Sequence, residues 1–498
     1  MATSEVVSCP HRLILSDLLP DEKVTFSLVL IKGFVRISNI NSKCYNTESS
    51  SLILNNITTN KTSEWPVVKN RFKCLADLCN GDNTIVLKYC KTSLEIKLHY
   101  SPRDTKYCVT PVYIICKDHN GRFQAPNNCD NSIEVACRKI GVGARLIQCL
   151  TAQKLFESGY ERKTFQLERD LNDPEDECVR FQSSLSVAQA RTMGQEELWT
   201  YFGREIMSSR LSSSNRKFLA FLSCTQWDGS KGVVRAHAAL GGGGLALFGT
   251  GCLHTWPSVV EDVITCFLDP TPVDTQQLMD DSCYRGTYGS CFSTTLGSVC
   301  HELGHTFDLG HPRHGIMGRG FDNVHLVFVP VVSGAVRTCS PRKTNPHSAT
   351  ITLVHNLNVE CVIGSPLRQR SRTPARDTVN KSVDRVTNLT NKQEEEDDLT
   401  HWSPGCAVFL AFHRWFNTEK EDTDKSDLHF DRSRMVVTGS AGIRVVEVRG
   451  EGGAVLGSWQ FPASARLRHQ FLVPAQTLTN ARTLVAQDSN GNIIKTGV

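Results

Sequence analysis

The chain has 498 residues, 40% hydrophobic and 21% charged, with a net charge of +4. That is an ordinary globular balance at a length that fits about two to four domains. The charge is too small for this length to support a nucleic-acid or membrane-surface partner, and no run of about 18 apolar residues is available to cross a bilayer.

In chain order, the first hundred residues read as strands. V-T-F-S-L-V-L-I-K-G-F-V-R-I spans 24–37, and S-L-I-L follows the serines at 49–51. W-P-V-V-K-N-R-F-K-C-L-A-D-L runs to the turn signal N-G-D-N, and T-I-V-L-K-Y and S-L-E-I-K-L-H-Y complete the set. The pattern from Phe72 to Leu87 resembles an Ig-like β-sandwich, so residues 1–105 are expected to form one, with no catalytic constellation inside it. Residues 109–116 predict a buried strand, 132–158 a long helix, 186–208 a second helix, and 217–224 a second buried strand. The four glycines Gly241, Gly242, Gly243 and Gly244 lie between apolar residues and permit close backbone approach. They are the candidate peptide-binding edge, binding substrate by strand addition, with a flexible loop as the other reading.

Residues 301–311 read H-E-L-G-H-T-F-D-L-G-H, and Met317 follows in H-G-I-M-G. His301 and His305 stand one helical turn apart on one face, so both can ligate one zinc ion. Glu302 lies about 100° further round the helix and suits a general base acting on a metal-activated water. Phe292, Leu296, Val299, Leu303 and Phe307 form a core-facing stripe that leaves the histidines off it. Ser293, Thr294 and Thr295 offer N-capping hydroxyls, and Gly310 and Pro312 are expected to end the helix. His311 can then return as third ligand, which leaves an open fourth position, the catalytic arrangement of zinc. Cys300 is expected to be a buried, inert thiol, His237 and His254 ordinary surface or core histidines, and His314 a surface histidine. Asp228 and Asp322 are candidates to support a ligating ring.

The matches at His301, Glu302, His305, His311 and Met317 resemble the metzincin signature of zinc endopeptidases, with its Met-turn. The segment is most similar to a family of fungal and animal proteins named zinc metalloproteinases. The resemblance covers about 106–325 and resumes near residue 400. It implies an α/β catalytic domain, Zn2+ as cofactor, a protein or peptide substrate and Met317 as an apolar floor under the metal. Asp308 stands where the signature has glycine. Asp tolerates the left-handed region, so the turn is expected to survive, shifted toward Gly310. Some metzincins steady the oxyanion with a downstream tyrosine, and this chain has no tyrosine after Tyr288.

Residues 324–363 carry strand-like pieces, H-L-V-F-V-P-V-V and A-T-I-T-L-V. Residues 364–400 turn polar and are expected to be disordered. W-S-P-G-C-A-V-F-L-A-F-H-R-W-F at 402–416 reads as the closing helix of the catalytic domain. The last stretch, with a hairpin around G-E-G-G and a turn at D-S-N-G-N, reads as a small β-sandwich. The expected organisation is therefore multidomain α+β. An N-terminal β-sandwich (1–105) precedes a metzincin-like peptidase domain (106–325 plus 400–417), interrupted by a partly disordered insertion (326–399). A C-terminal β domain (425–498) follows. The 20 scattered cysteines and the lack of a signal-peptide pattern in M-A-T-S-E-V-V-S-C-P-H-R point to reduced thiols in a cytoplasmic or nuclear protein. The expected function is zinc-dependent metalloendopeptidase. The alternative is a non-catalytic, zinc-containing pseudopeptidase that serves as a binding scaffold. The oligomeric state cannot be read.

Overall fold

The computed structural model describes residues 9–19, 21–37, 51–171, 177–330, 400–418 and 426–498. The protein is mixed α+β and strand-rich, with several sheets and few helices. Eight strands between His11 and Tyr100 form the first sheet, whose strand order begins with His11–Leu15 and ends with Thr92–Tyr100 beside Glu22–Val24. The run from Trp65 to Leu78, which reads up to the N-G-D-N turn, holds a further turn of its own. Lys61–Val68 and Arg71–Asp77 pair across Lys69 and Asn70, both at positive φ. Positive φ at both central residues matches the twist of a tight hairpin.

The second sheet carries the chemistry. Its five strands run in the order Val179–Gln182, Cys108–Ile115, Arg216–Leu222, Leu245–Gly249, Ala239–Gly242. The first four are parallel, and Ala239–Gly242 closes the row antiparallel to its neighbour. Cys108–Ile115 is buried along its whole length, as a parallel strand covered on both faces must be. The Ile133–Glu157 helix begins at Ser132, whose hydroxyl accepts from the Val135 N–H, and it is buried almost all round. A single hydrophobic cluster joins this helix (Ile140, Leu150) to the first sheet (Leu30, Leu75) and to Leu296 and Leu303 of the Tyr288–Thr306 helix. Charges add to the same docking: Arg145 pairs with Asp77, Arg162 Nε donates to Glu22 (2.8 Å), and Lys32 donates to Glu157 (2.8 Å).

The helix expected over 186–208 is two helices, Val187–Ala190 and Gln195–Met207. A capping box at Ser186 and Gln189 opens the first, which ends in i→i−3 bonds from Thr192 and Met193, and Gly194, whose N–H donates to Glu197, opens the second, so the local hydrogen bonds favour a break. H-L-V-F is a helical turn, His325–Phe328, not a strand. The strand-like A-T-I-T-L-V and the polar 364–399 stretch lie outside the described residues. The 402–416 segment forms the Pro404–Phe412 helix, which packs against the last sheet, and a short 3-10 turn whose Trp415 and Phe416 meet Tyr107, Phe165 and Phe307. That sheet contains the expected hairpin, Val436–Arg449 with Val455–Gln460, and the turn before Ile493–Gly497. Among the described residues no helix is long and apolar enough to cross a membrane.

Three glycines let the Tyr288–Thr306 helix sit where it does. A Cβ on Gly289 would meet the Phe267 carbonyl oxygen at 2.3 Å, one on Gly297 the Phe321 carbonyl oxygen at 2.0 Å, and one on Gly304 the Met317 sulfur at 2.5 Å. Helical glycine costs about 1 kcal/mol against alanine, so each must be repaid by close packing. Two substitutions separate the effects. Gly203→Ala in the Gln195–Met207 helix meets only an ordinary contact with Leu245 at 3.6 Å. It is expected to raise the thermal midpoint by a degree or so, from a gain of up to about 1 kcal/mol. Gly297→Ala carries the same propensity gain but drives a methyl into a backbone oxygen. It is expected to lower the midpoint, with a net loss of about 1–3 kcal/mol. Equal shifts in thermal-unfolding scans of the two variants would contradict this account of the packing.

Candidate metal centre

His301 and Glu302 project from the last turns of the Tyr288–Thr306 helix, with His305 one turn on. The expected core stripe is present: Phe292, Leu296, Val299, Leu303 and Phe307 are all buried. Both ends of the helix differ from expectation. It is capped by the Thr287 hydroxyl, which accepts from the Ser290 N–H, and Ser293, Thr294 and Thr295 lie inside it. There Ser293 donates to the Asp322 carbonyl and Thr295 back to Cys291, which satisfies their hydroxyls without capping. The helix stops at Thr306, before Gly310 and Pro312. Asp308 sits at φ 62, its N–H bonded to the His305 carbonyl (3.1 Å), while the Leu309 N–H reaches Gly304 (3.3 Å). This is a Schellman ending with aspartate in the left-handed position that glycine usually fills. The turn therefore stays at residue 308 and does not shift to Gly310. Gly310 serves close approach: a Cβ there would lie 2.7 Å from Arg449 Nε and 2.9 Å from the Gly453 carbonyl oxygen.

The turn brings His311 back to the helix. His301 Nε2 stands 3.1 Å from His305 Nε2 and 3.3 Å from His311 Nε2. On the far side of each ring, Nδ1 meets a backbone carbonyl: Ile316 at 2.8 Å from His301, Leu309 at 3.0 Å from His305, Gly452 at 2.9 Å from His311. A carbonyl only accepts, so each Nδ1 carries the proton and each Nε2 turns a lone pair inward. Three lone pairs at this spacing repel one another, and a cation among them turns the repulsion into ligation. Two nitrogens held at about 2.0–2.1 Å around a tetrahedral zinc lie about 3.3 Å apart, so the donor set and its spacing fit zinc.

Glu302 is buried, and its Oε2 accepts the Gly241 N–H at 2.7 Å. Of the four glycines, Gly241 is the one brought against the helix: a Cβ would lie 1.9 Å from the Glu302 carbonyl oxygen. Gly242 ends the edge strand, and Gly243 (φ 54) and Gly244 make the turn to Leu245. Lys217 ties that turn to the helix, donating to the Thr306 carbonyl and to Gly243 (3.3 Å). Burial brings the Lys217 ammonium down to about 8, with the Asp308 carboxylate pulling the other way. Met317 is buried under Gly304. Burial pushes the Cys300 thiol up to about 12, which makes it inert as expected.

The remaining candidates are placed elsewhere. Asp228 pairs with Lys231 and Arg235, and the Asp322 carbonyl accepts from Arg285 and Ser293. The support expected from their carboxylates comes instead from the three main-chain carbonyls. His314 is exposed and faces His401 at 3.0 Å. His254 is buried against Tyr288, and the His237 ring nitrogens are buried beside Gly249, in a small cavity lined also by Asp281, Thr295 and Ser298.

The brace on His311 was not legible in the sequence. His311 N–H donates to the Gly453 carbonyl (2.9 Å), and the Val455 N–H donates back to His311 (2.9 Å), a parallel bridge between the ligand loop and the last sheet. Arg449 Nη2 donates to the Asp308 carbonyl at 2.7 Å while Glu447 holds the same guanidinium at 2.7 and 2.9 Å, with the Arg449 and Glu447 side chains both buried. The paired glycines Gly452 (φ 60) and Gly453 (φ 80) were the one visible signal, and nothing in their spacing names residue 311.

A family model described as a putative peptidase family matches residues 12–423. Together with the histidine geometry this defines the class: the chain belongs to that peptidase family. Among curated relatives it is 28% identical over 349 residues to a protein named putative zinc metalloproteinase from Schizosaccharomyces pombe, covering 66% of this chain and 56% of the relative. It is 27% identical over 320 residues to one of the same name from Saccharomyces cerevisiae, covering 57% and 45%. The chain thus spans about half the length of the curated relatives it matches. Among solved structures, catalytically inactive OgpA from Akkermansia muciniphila, crystallised with an O-glycopeptide substrate, aligns over 80% of this chain and 93% of its own. The TM-score is 0.38 and the identity 12%, a likeness too loose to define a common architecture.

Arg449→Lys keeps a cation beside Glu447 but loses the reach to the Asp308 carbonyl. It is expected to weaken zinc binding by about 10–100-fold, the usual effect of loosening a ligand's support. Competition with a chromogenic chelator measures it, and unchanged affinity would remove the C-terminal sheet from the site.

Proposed function

We propose that this protein is a zinc-dependent metalloendopeptidase with a metzincin-like catalytic unit, built from residues 106–325 and 400–417. The observation that carries the reading is the set of three imidazoles with Nε2 lone pairs turned on one point and every Nδ1 bound to a carbonyl. In this reading His301, His305 and His311 hold the ion and Met317 is the apolar floor of a Met-turn. When bound, zinc supplies a Lewis acid that lowers the pKa of water and polarises a carbonyl.

The protein side of the chemistry follows from Glu302. Its carboxylate is the base that takes a proton from the attacking water and later returns it to the leaving amine. The Gly241 N–H bonded to Oε2 fixes one oxygen, so the other oxygen does the transfer. The Ala239–Gly242 strand is the last in its row, and an extended peptide added to its outer edge would run past Glu302. Gly241 to Gly244 are accordingly the proposed substrate edge, Gly241 nearest the chemistry. The substrate class is protein or peptide. The proposed layout keeps 1–105 as a β-sandwich, 326–399 as an insertion and 425–498 as a further β domain. The continuous core across residue 105 makes the first of these a docked support and not a loose module. The scattered free thiols favour the cytoplasm or nucleus.

Glu302→Gln should keep its zinc, measured by mass spectrometry, and lose at least about 100-fold in cleavage of an unfolded casein substrate. Equal cleavage by both proteins would reject Glu302 as the base. No cleavage by a zinc-loaded wild type would leave the non-catalytic scaffold as the better description.

A further inference from the structure

A second group of metal-binding side chains lies in the first sheet, apart from the histidine triad. Cys9, His11 and Cys90 each offer one donor atom, and these atoms all lie within 4.8 Å of one another. The Cys9 sulfur is 3.4 Å from His11 Nδ1. A thiolate and an imidazole sharing a tetrahedral zinc sit about 3.5 Å apart, from Zn–S and Zn–N lengths of about 2.3 and 2.0–2.1 Å. His11 is buried and packed edge-on against Tyr89 at 5.3 Å, so its ring is fixed before any ion arrives. Both cysteines are half-buried, which leaves a path for a metal.

The turn at Cys90 is a further observation. Cys90 occupies the tight turn between Gly81–Tyr89 and Thr92–Tyr100, at φ 55. Glycine, asparagine and aspartate are the ordinary residues there, and another side chain strains the turn. A cysteine in that position is explained by a use for its sulfur. Thiolate, not thiol, is the metal ligand.

We propose that Cys9, His11 and Cys90 form a second zinc site, a two-thiolate, one-imidazole clip whose fourth position is taken by water. The open position is the same as in the histidine triad, but no carboxylate belongs to this group to act as a base, so its role is to tie strands together and not to catalyse. His11 opens the first strand of the eight-strand row, and Cys90 sits on the hairpin whose second strand lies next to the other end of that row. One ion would join the two ends and close the sheet on itself. Folding would then be linked to metal, since a site that exists only in the folded chain adds its binding energy to stability. Zinc fits the donor set best, because two thiolates exclude magnesium and calcium.

Cobalt separates this site from the histidine triad, which contains no sulfur. The full-length chain, purified under reducing conditions and stripped of metal, is titrated with Co2+. A thiolate-to-cobalt charge-transfer band in the near ultraviolet is expected from the wild type and from His301→Ala. The band is expected to vanish in Cys9→Ser and in Cys90→Gly, each with about one equivalent less zinc per chain after reconstitution. Cys90→Gly places the residue best suited to φ 55 in the turn, so its fold is secure without metal. Three results would overturn the proposal: no such band in the wild type, a band that survives in Cys90→Gly, or a Cys9–Cys90 disulfide mapped in the reduced-purified chain. Failure of the peptidase reading would leave the cobalt result unchanged, and the reverse holds as well.

Discussion

The site depends on one electrostatic constraint: three imidazoles must point their unprotonated nitrogens at the same small volume. Left to themselves, the rings would rotate apart or share protons, because facing lone pairs repel. The chain prevents both by giving each Nδ1 a carbonyl that can only accept. The three carbonyls come from different places. Leu309 belongs to the turn after the helix, Ile316 to the loop above Met317, and Gly452 to a hairpin 141 residues further on. Fixing the tautomer of three histidines therefore requires three separate backbone segments to be folded correctly and at once.

That requirement explains the composition of the central helix. Glycine at 289, 297 and 304 lowers its intrinsic stability by about 1 kcal/mol each, and in return the backbones of Phe267 and Phe321 and the sulfur of Met317 close to contact. The Met317 loop can then present the Ile316 carbonyl to His301. At the other end, Asp308 accepts the strain of the left-handed region because three interactions hold it: the His305 carbonyl, Arg449 on its own carbonyl, and the charge of Lys217 across the turn. A glycine would adopt the same φ more cheaply but would give up the carboxylate that faces a buried ammonium.

The local parts of this were legible in one dimension. The stripe from Phe292 to Phe307, the strand at 109–116, the helix from Ser132 and the hairpin around G-E-G-G follow from periodicity and turn chemistry, which act over a few residues. The helix ends depart from the local sequence pattern for a physical reason. Ser293, Thr294 and Thr295 look like caps, but their hydroxyls are engaged by the Asp322 carbonyl, by the Arg285 guanidinium and within the helix respectively, which no local pattern reveals. Gly310 looks like a helix stop but serves contact with Arg449. Asp228 and Asp322 were reasonable supports by chemistry, yet main-chain carbonyls do that work, and a main-chain carbonyl leaves no signature in sequence. The pairing of Gly452 with His311 is long-range and depends on tertiary structure alone.

The placement of His311 has a thermodynamic consequence. A side chain on a helix is ordered by the helix, whereas one on a loop must be ordered by something else, at about 1–2 kcal/mol per residue fixed. Here the cost is met by the parallel bridge to Ala454 and by the buried Arg449–Glu447 pair, both belonging to a sheet beyond the residues matched by the family model. A buried pair of this kind stabilises little by itself, but removing one partner strands the other charge. Its contribution is therefore to specificity of position, holding Gly310 and His311 in one arrangement. Coupling of this sort is reciprocal: a cation held by the three rings favours the docked hairpin by the same free energy with which the docked hairpin favours the cation. The last sheet and the histidine triad, far apart in the chain, are in this sense one cooperative unit.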